Sequence, residues 1–156
     1  MTNVILEDII RIKSVAWPYD VEKQTAWINN NISENDLHVI LRKKEENVAY
    51  LNLIDITLGV NDKEHKGYGI GNVCAIEKGK GYGLKLMLQV NKLLKDEQRI
   101  GLLFCKPALV KFYESAEWQL IDKCKVFVRL EDSDIMTMAY NLQKDTSKLI
   151  YGEKIF

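Results

Sequence analysis

An alternating stretch, a glycine-rich turn and an amphipathic segment follow one another between residues 67 and 96, and together they dictate a layered arrangement of helix on sheet. "GYGIGNVCAI" (67–76) alternates as a strand does, and Gly79, Gly81 and Gly83 then break the period. From there Leu84, Met87, Leu88, Val90, Leu93 and Leu94 form an apolar stripe at helical spacing, with Lys85, Lys92 and Lys95 outside it. "IGLLFC" (100–105) is a short, continuously apolar run of the kind that lies buried in a sheet. A strand, a crossover helix and a second buried strand place the two strands parallel, joined by a right-handed connection.

The rest of the chain fits around this unit. "LEDIIRIKSVAW" puts Leu6, Ile9, Ile10 and Val15 at helical spacing, and Pro18 stops that helix. A second helix, "DVEKQTAWINNNI", starts behind Asp20, whose side chain suits an N-cap. The period then changes to two. Residues 36–43, 47–60 and 67–76 read as consecutive strands joined by short turns, hence an antiparallel meander. Pro107 opens a helix, "PALVKFYESA", and two further strands are expected at 118–129 and 134–142. The tail from 143 to 156 is weakly patterned. With 156 residues, 47% of them hydrophobic, and no repeat or linker, the chain reads as a single domain over 1–156.

Charge and cysteine content exclude several function classes. Twenty-two basic residues balance twenty-two acidic ones, so there is no overall field to draw in nucleic acid or a membrane surface. The three cysteines, Cys74, Cys105 and Cys124, form no metal-ligand spacing with His38 or His65, and no metal is expected. Reduced thiols, with no leader-like start and no apolar span, point to a cytoplasmic protein.

The glycine turn is where chemistry is written most plainly. Glycines there let backbone pass close to a ligand, and the amides at the start of a helix lie at the positive end of its dipole. Lys78, Lys80 and Lys85 add charge, so a phosphate or pyrophosphate is the natural guest. Two rival glycine motifs fail on spacing. A dinucleotide GxGxxG counted from Gly79 would need glycine at Leu84, and GxxxxGK[ST] does not occur.

"KGKGYG" resembles the [Q/R]xxGxG/A signature of the Gcn5-related N-acetyltransferases, and "GLLFCKPALVKFYESAEW" is similar to that family's next strand and helix. The resemblance spans roughly residues 36–142 and includes the order of elements. It implies the acyl-CoA N-acyltransferase fold, an α/β (α+β) arrangement whose central, mostly antiparallel mixed sheet splays at the cofactor strand between about four helices. It also implies acetyl-CoA as co-substrate and an amine as acceptor, attacked directly in a ternary complex, and homodimerisation through the last strands is common in folds of this kind. Three departures stand out. Lys78 takes the place of the usual Arg or Gln, only Ile76 and Glu77 separate "VCA" from the motif, and Glu117 stands where glycine is usual. A turn unlike the family's left-handed one is therefore expected before Trp118.

Residue by residue, the resemblance assigns the pyrophosphate to the loop of Lys78, Gly79, Lys80, Gly81, Tyr82 and Gly83, and the pantetheine arm and thioester carbonyl to the backbone of Val73, Cys74 and Ala75. Tyr113 matches the tyrosine of the family's "FYE" motif and becomes the candidate acid for the departing thiolate, against a role as a core tyrosine. For the general base the chain offers Asp55, Glu64, His65 and Glu77. Asp55 is the foremost, because a carboxylate inside the apolar run "LNLIDITL" is costly unless it lies in the acceptor cleft with a raised pKa or on a solvated face. Cys105 and Cys74 read as packing residues, with no histidine nearby in sequence to activate them. Trp17, Tyr19, Trp27 and Tyr50 are candidate walls for the acceptor, and Asp20 and Glu22 would favour a cationic amine. An alternative acceptor is a protein or peptide amine, and a different class of function is a non-catalytic CoA-binding module.

Overall fold

The computed structural model describes residues 3–33, 35–128, 134–153 and 156. Two helices, α1 (Asn3–Ala16) and α2 (Val21–Asn31), precede the strands β1 (Leu37–Lys43), β2 (Glu46–Val60) and β3 (Lys63–Ala75). Then come α3 (Tyr82–Asp96), β4 (Ile100–Cys105), a short helix α4 (Val110–Ser115) entered through a 3-10 turn at Pro107–Leu109, and the strands β5 (Gln119–Leu120), β6 (Val126–Val128), β7 (Met136–Tyr140) and β8 (Leu149–Tyr151). The α2 N-cap is the expected one: the Asp20 carboxylate accepts a hydrogen bond from the Lys23 N–H at 2.8 Å.

The strands run β5-β7-β4-β3-β2-β8-β6 across one mixed sheet, with β1 also on β2. β1, β2 and β3 form the antiparallel meander read from the two-residue period. β3 and β4 are parallel, as a crossover through α3 requires. One face of the sheet carries α3 and α4 over Leu51, Leu53, Leu86, Met87, Leu94, Leu103 and Trp118. The other face packs Ile9, Ile12 and Ile28 of the first two helices on Tyr50 and Cys74. Further along that sheet a separate cluster joins Ile56, Leu58 and Val60 to Leu102, Leu149 and Tyr151.

Several sequence expectations change. Leu88 and Val15 are exposed, while Tyr82, Leu86 and Asn91 lie on the buried side of α3. Asn91 is satisfied there: its amide donates to the Ala116 carbonyl at 2.7 Å and its oxygen accepts from the Trp118 indole at 2.8 Å. The strand expected at 118–129 is two short strands on opposite edges, β5 beside β7 and β6 beside β8, and residue 129 lies outside the described residues. The weakly patterned tail supplies β8, which pairs antiparallel with β2 at Gly59 and Val60 and parallel with β6.

The turn before Trp118 corrects another expectation. Glu117 adopts φ 68°, the left-handed conformation that the family fills with glycine. Its N–H bonds to the Glu114 carbonyl at 2.9 Å and the Trp118 N–H to the Tyr113 carbonyl at 3.1 Å, the paired bonds of a Schellman cap. Buried Trp118 and Tyr113 hold this geometry in place despite the β-carbon. Glu117→Gly is expected to raise the unfolding free energy by about 1 kcal/mol, read as a higher urea midpoint at unchanged slope, because the strain removed exceeds the entropy that glycine adds to the unfolded chain.

Candidate active site

The glycine turn is built as its sequence suggests. Gly79 and Gly81 have φ 77° and 72°, and a β-carbon at either would meet no atom within 4 Å, so the turn is open on the side where a side chain would point. Gly81 caps α3, whose first bond within the helix runs from the Lys85 N–H to the Gly81 carbonyl at 3.0 Å. The N–H groups ahead of Lys85 have no helical carbonyl to meet and are available to an anion. Lys78 and Lys80 are exposed on this turn, and Lys80 lies 3.9 Å from Glu77. Tyr82 and Gly83 serve the scaffold with their side-chain positions. The Tyr82 hydroxyl accepts from Lys43 Nζ at 3.0 Å, and a β-carbon on Gly83 would come within 3.2 Å of the Phe112 ring.

Behind the turn the sheet opens. β3 pairs with β4 only from Gly67 to Gly69; past that point β3 stays with β2 through Ala75, while β4 stays with β7 through Cys105. The β2–β3 register also breaks between Tyr50, opposite Cys74, and Asn52, opposite Gly71, and Asn72 in this bulge has φ 55°. Between the parted strands and the first two helices lies a cavity of about 730 Å³. Ile70 to Val73 line it from β3, Phe104 and Cys105 from β4, Leu109 and Tyr113 from the α4 region, and Trp17, Tyr19 and Trp27 from the helices. Val73 therefore lies on the cavity wall, whereas Cys74 is buried against α1 and Ala75 packs on the core under α3.

Tyr113 is 7% exposed and faces this cavity, and burial pushes its phenol pKa well up, so the hydroxyl keeps its proton. Burial likewise pushes the Cys105 thiol up to about 11 and the Cys74 thiol up to about 12. Neither is a thiolate at neutral pH, which supports the packing role.

Asp55 is not in the cavity. It is exposed and forms an ion pair with Arg99, which also bonds the Gly67 carbonyl and lies over the Tyr68 ring. The carboxylate inside an apolar run is explained by a solvated face and a cation 44 residues away. Glu64 and Glu77 are exposed and His65 is half-buried, and none of them lines the cavity; among the described residues no carboxylate or imidazole side chain does. Tyr50 is fully buried under α1 with its hydroxyl 3.0 Å from His38 Nδ1.

The wall toward the helices carries groups that sequence reasoning missed. Lys13 is 3% exposed, donates to Asn72 Oδ1 at 2.8 Å, and has its ammonium 3.8 Å from the centre of the Trp27 ring. Asn72 in turn donates to Asn52 Oδ1 at 2.8 Å. Gln24, also buried, donates to the Trp17 carbonyl at 2.6 Å and ties the start of α2 to the end of α1. Lys23 and Lys106 line the same cavity. Among the described residues the charged side chains on the cavity are lysines, opposite to the expectation drawn from Asp20 and Glu22: Asp20 is occupied as the α2 cap and paired with Lys23 at 3.0 Å. Lys13 was legible, since it stands one helical turn after Ile9 and Ile10 on the apolar stripe.

Burial lowers the Lys13 pKa to about 8. Between that value and its unfolded value the unfolded chain binds more protons, so the Lys13 contribution to stability rises with pH. Relative to Lys13→Met, the parent protein is expected to gain about 1 kcal/mol of unfolding free energy between about pH 7 and pH 9. Urea titrations of both proteins at the two pH values check this, and the deprotonation of Cys74 on unfolding cancels in the difference.

No family model and no curated protein matches the sequence. Solved structures do match. ElaA of Escherichia coli aligns at a TM-score of 0.61 with 20% identity, over 90% of this chain and 92% of that one. An aminoglycoside 6'-N-acetyltransferase complexed with coenzyme A aligns at 0.64 with 11% identity, over 92% and 94%. The PaiA N-acetyltransferase of Thermoplasma acidophilum, also with coenzyme A, aligns at 0.59 with 15% identity, over 90% and 94%. The parted parallel strands, the glycine turn and the helices around them thus form the acyl-CoA N-acyltransferase fold, that of the Gcn5-related N-acetyltransferases.

Proposed function

We propose that the protein transfers an acetyl group from acetyl-CoA to an amine. The observation that carries this reading is the cavity that opens where β3 and β4 part, with the glycine turn at the C-terminal end of β3 and the protonated phenol of Tyr113 on its wall. The open turn of Gly79 and Gly81, with Lys78 and Lys80 beside it, suits a pyrophosphate held by backbone N–H groups. The edge of β3 that β4 no longer covers, at Val73, suits an arm that carries its own amides, because unpaired strand edges seek such partners. Two of the similar structures hold coenzyme A, which supports the same guest.

Acetyl-CoA supplies an activated thioester carbonyl. A neutral amine attacks that carbon, the C–N bond forms, and the C–S bond breaks as the tetrahedral intermediate collapses. Tyr113 gives its proton to the departing thiolate. With no carboxylate or imidazole side chain on the cavity wall among the described residues, the proton lost from the nitrogen of the tetrahedral intermediate passes to water at the cavity mouth, and water returns a proton to Tyr113, so that an amide and a free thiol result. Burial holds Cys74 and Cys105 as thiols, which supports direct transfer over an acetyl-cysteine intermediate at either of them.

Calorimetric titration with coenzyme A tests the first half of this reading. Gly81→Glu places a side chain and a negative charge on the open face of the turn, at a fold cost of about 1 kcal/mol for the left-handed backbone. The parent protein is expected to bind and the folded variant to lose binding; absence of binding by the parent ends the proposal. For the second half, Tyr113→Phe is expected to lower the rate of thiol release roughly 100-fold at unchanged coenzyme A affinity, the usual range for loss of a general acid. Binding without any amine-dependent thiol release by the parent would reassign the chain to a non-catalytic CoA-binding module.

A further inference from the structure

The cavity wall opposite Tyr113 holds an ammonium group in an unusual setting. Lys13 is 3% exposed, yet no carboxylate lies within ion-pair distance of it among the described residues. Its surroundings are one amide oxygen, that of Asn72 at 2.8 Å, and the faces of Trp27 and Trp17 at 3.8 and 5.7 Å. A buried cation without a counter-ion is costly, and the position is filled by a lysine although neighbouring turns of α1 supply Ile9, Ile10 and Ile12 to the core. Asn72 and both tryptophans line the cavity with it, so the ammonium lies at the wall of the site and not in the closed core. Asn72 itself is fixed by Asn52 and by its place in the β3 bulge, which leaves the lysine tethered at one donor with others to spare. Lys23 and Lys106 stand on the same cavity, and among the described residues no acidic side chain does.

We propose that Lys13 is the anchor for a carboxylate on the acceptor, so that the substrate class is small amino acids: amines that carry a carboxylate, with an apolar or aromatic body against Trp17 and Trp27. The inference rests on the acetyltransferase reading above. A single buried ammonium beside one amide suits a carboxylate, and the two indole faces shield the pair from water and so strengthen it. The carboxylate supplies a counter-charge that no described side chain provides within ion-pair distance of Lys13.

The test offers acetyl-CoA and, as acceptors, the L-amino acids, each with its amide and its decarboxylated amine, with thiol release as the readout and coenzyme A binding measured separately. The expected result is that at least one amino acid is turned over with kcat/KM roughly ten- to a hundredfold above its amide and amine, the range of a hydrogen bond to a charged partner. In Lys13→Met that preference should vanish through KM, while coenzyme A binding by the variant shows that it is folded. Equal or better turnover of the uncharged counterparts by the parent protein overturns the inference, as does silence toward the whole panel in a protein that binds coenzyme A and acetylates another amine. If Lys13→Met does not fold, the acid-to-amide ratio of the parent decides alone. Failure of coenzyme A binding would instead strike the acetyltransferase reading, so the two failures are distinguishable.

Discussion

The structure turns on a competition for hydrogen-bonding partners along β3 and β4. The two strands pair over three residues only, Gly67 to Gly69 with Ile100 to Leu102. Beyond that, β3 is held by β2 up to Ala75 and β4 by β7 up to Cys105, so neither strand can follow the other. Glycines make the short contact possible: a β-carbon on Gly67 would come within 2.6 Å of the Ile100 carbonyl, and one on Gly101 within 2.4 Å of the Trp118 ring. A wedge-shaped gap follows, and its backbone edges are unpaired polar groups in an otherwise apolar place. Such a gap is unfavourable in isolation and is retained where a ligand completes it.

Much of this could be read from the chain. The change of period at residue 36, the glycine turn and the crossover to "IGLLFC" are local signals, carried by residues a few positions apart, and each element they announce is present. What could not be read depends on pairing at long range. β6 and β8 are three residues each and gain their order from one another and from the end of β2, so no local pattern marks them. Asp55 attracts notice because a carboxylate interrupts an apolar run, but its partner Arg99 comes from the other side of the α3 crossover. Glu117 shows the converse: a residue disfavoured in the left-handed region sits there because the buried pair Tyr113 and Trp118 determines the turn more strongly than the local preference does.

Phe156 adds a constraint on the shape of the wedge. Its ring packs against Phe104 and Tyr151 with centroids 5.2 and 5.7 Å apart, and a β-carbon on Gly69 would come within 2.3 Å of it. The ring therefore lies directly over β3 where the strands begin to part, and it lines the cavity. The second cluster of core residues, drawn from β2, β4, β6 and β8, is what positions it. The strands at the far edge of the sheet, distant in sequence from the glycine turn, in this way define one end of the site.

Polarity inside the cavity is distributed unevenly, and that asymmetry bears on chemistry. Tyr113 and Cys105, both raised in pKa by burial and both neutral, lie on the α4 side with Lys106 next to Cys105 in the chain; Lys13, Asn72, Gln24 and Lys23 lie toward the first two helices. A low-dielectric wall beside a phenol preserves its proton, while a cation across the gap attracts negative charge and repels positive charge. In the reaction proposed above, the two walls would divide the work: the neutral side keeps a proton for the thiolate, and Lys13 across the gap holds the carboxylate of the acceptor.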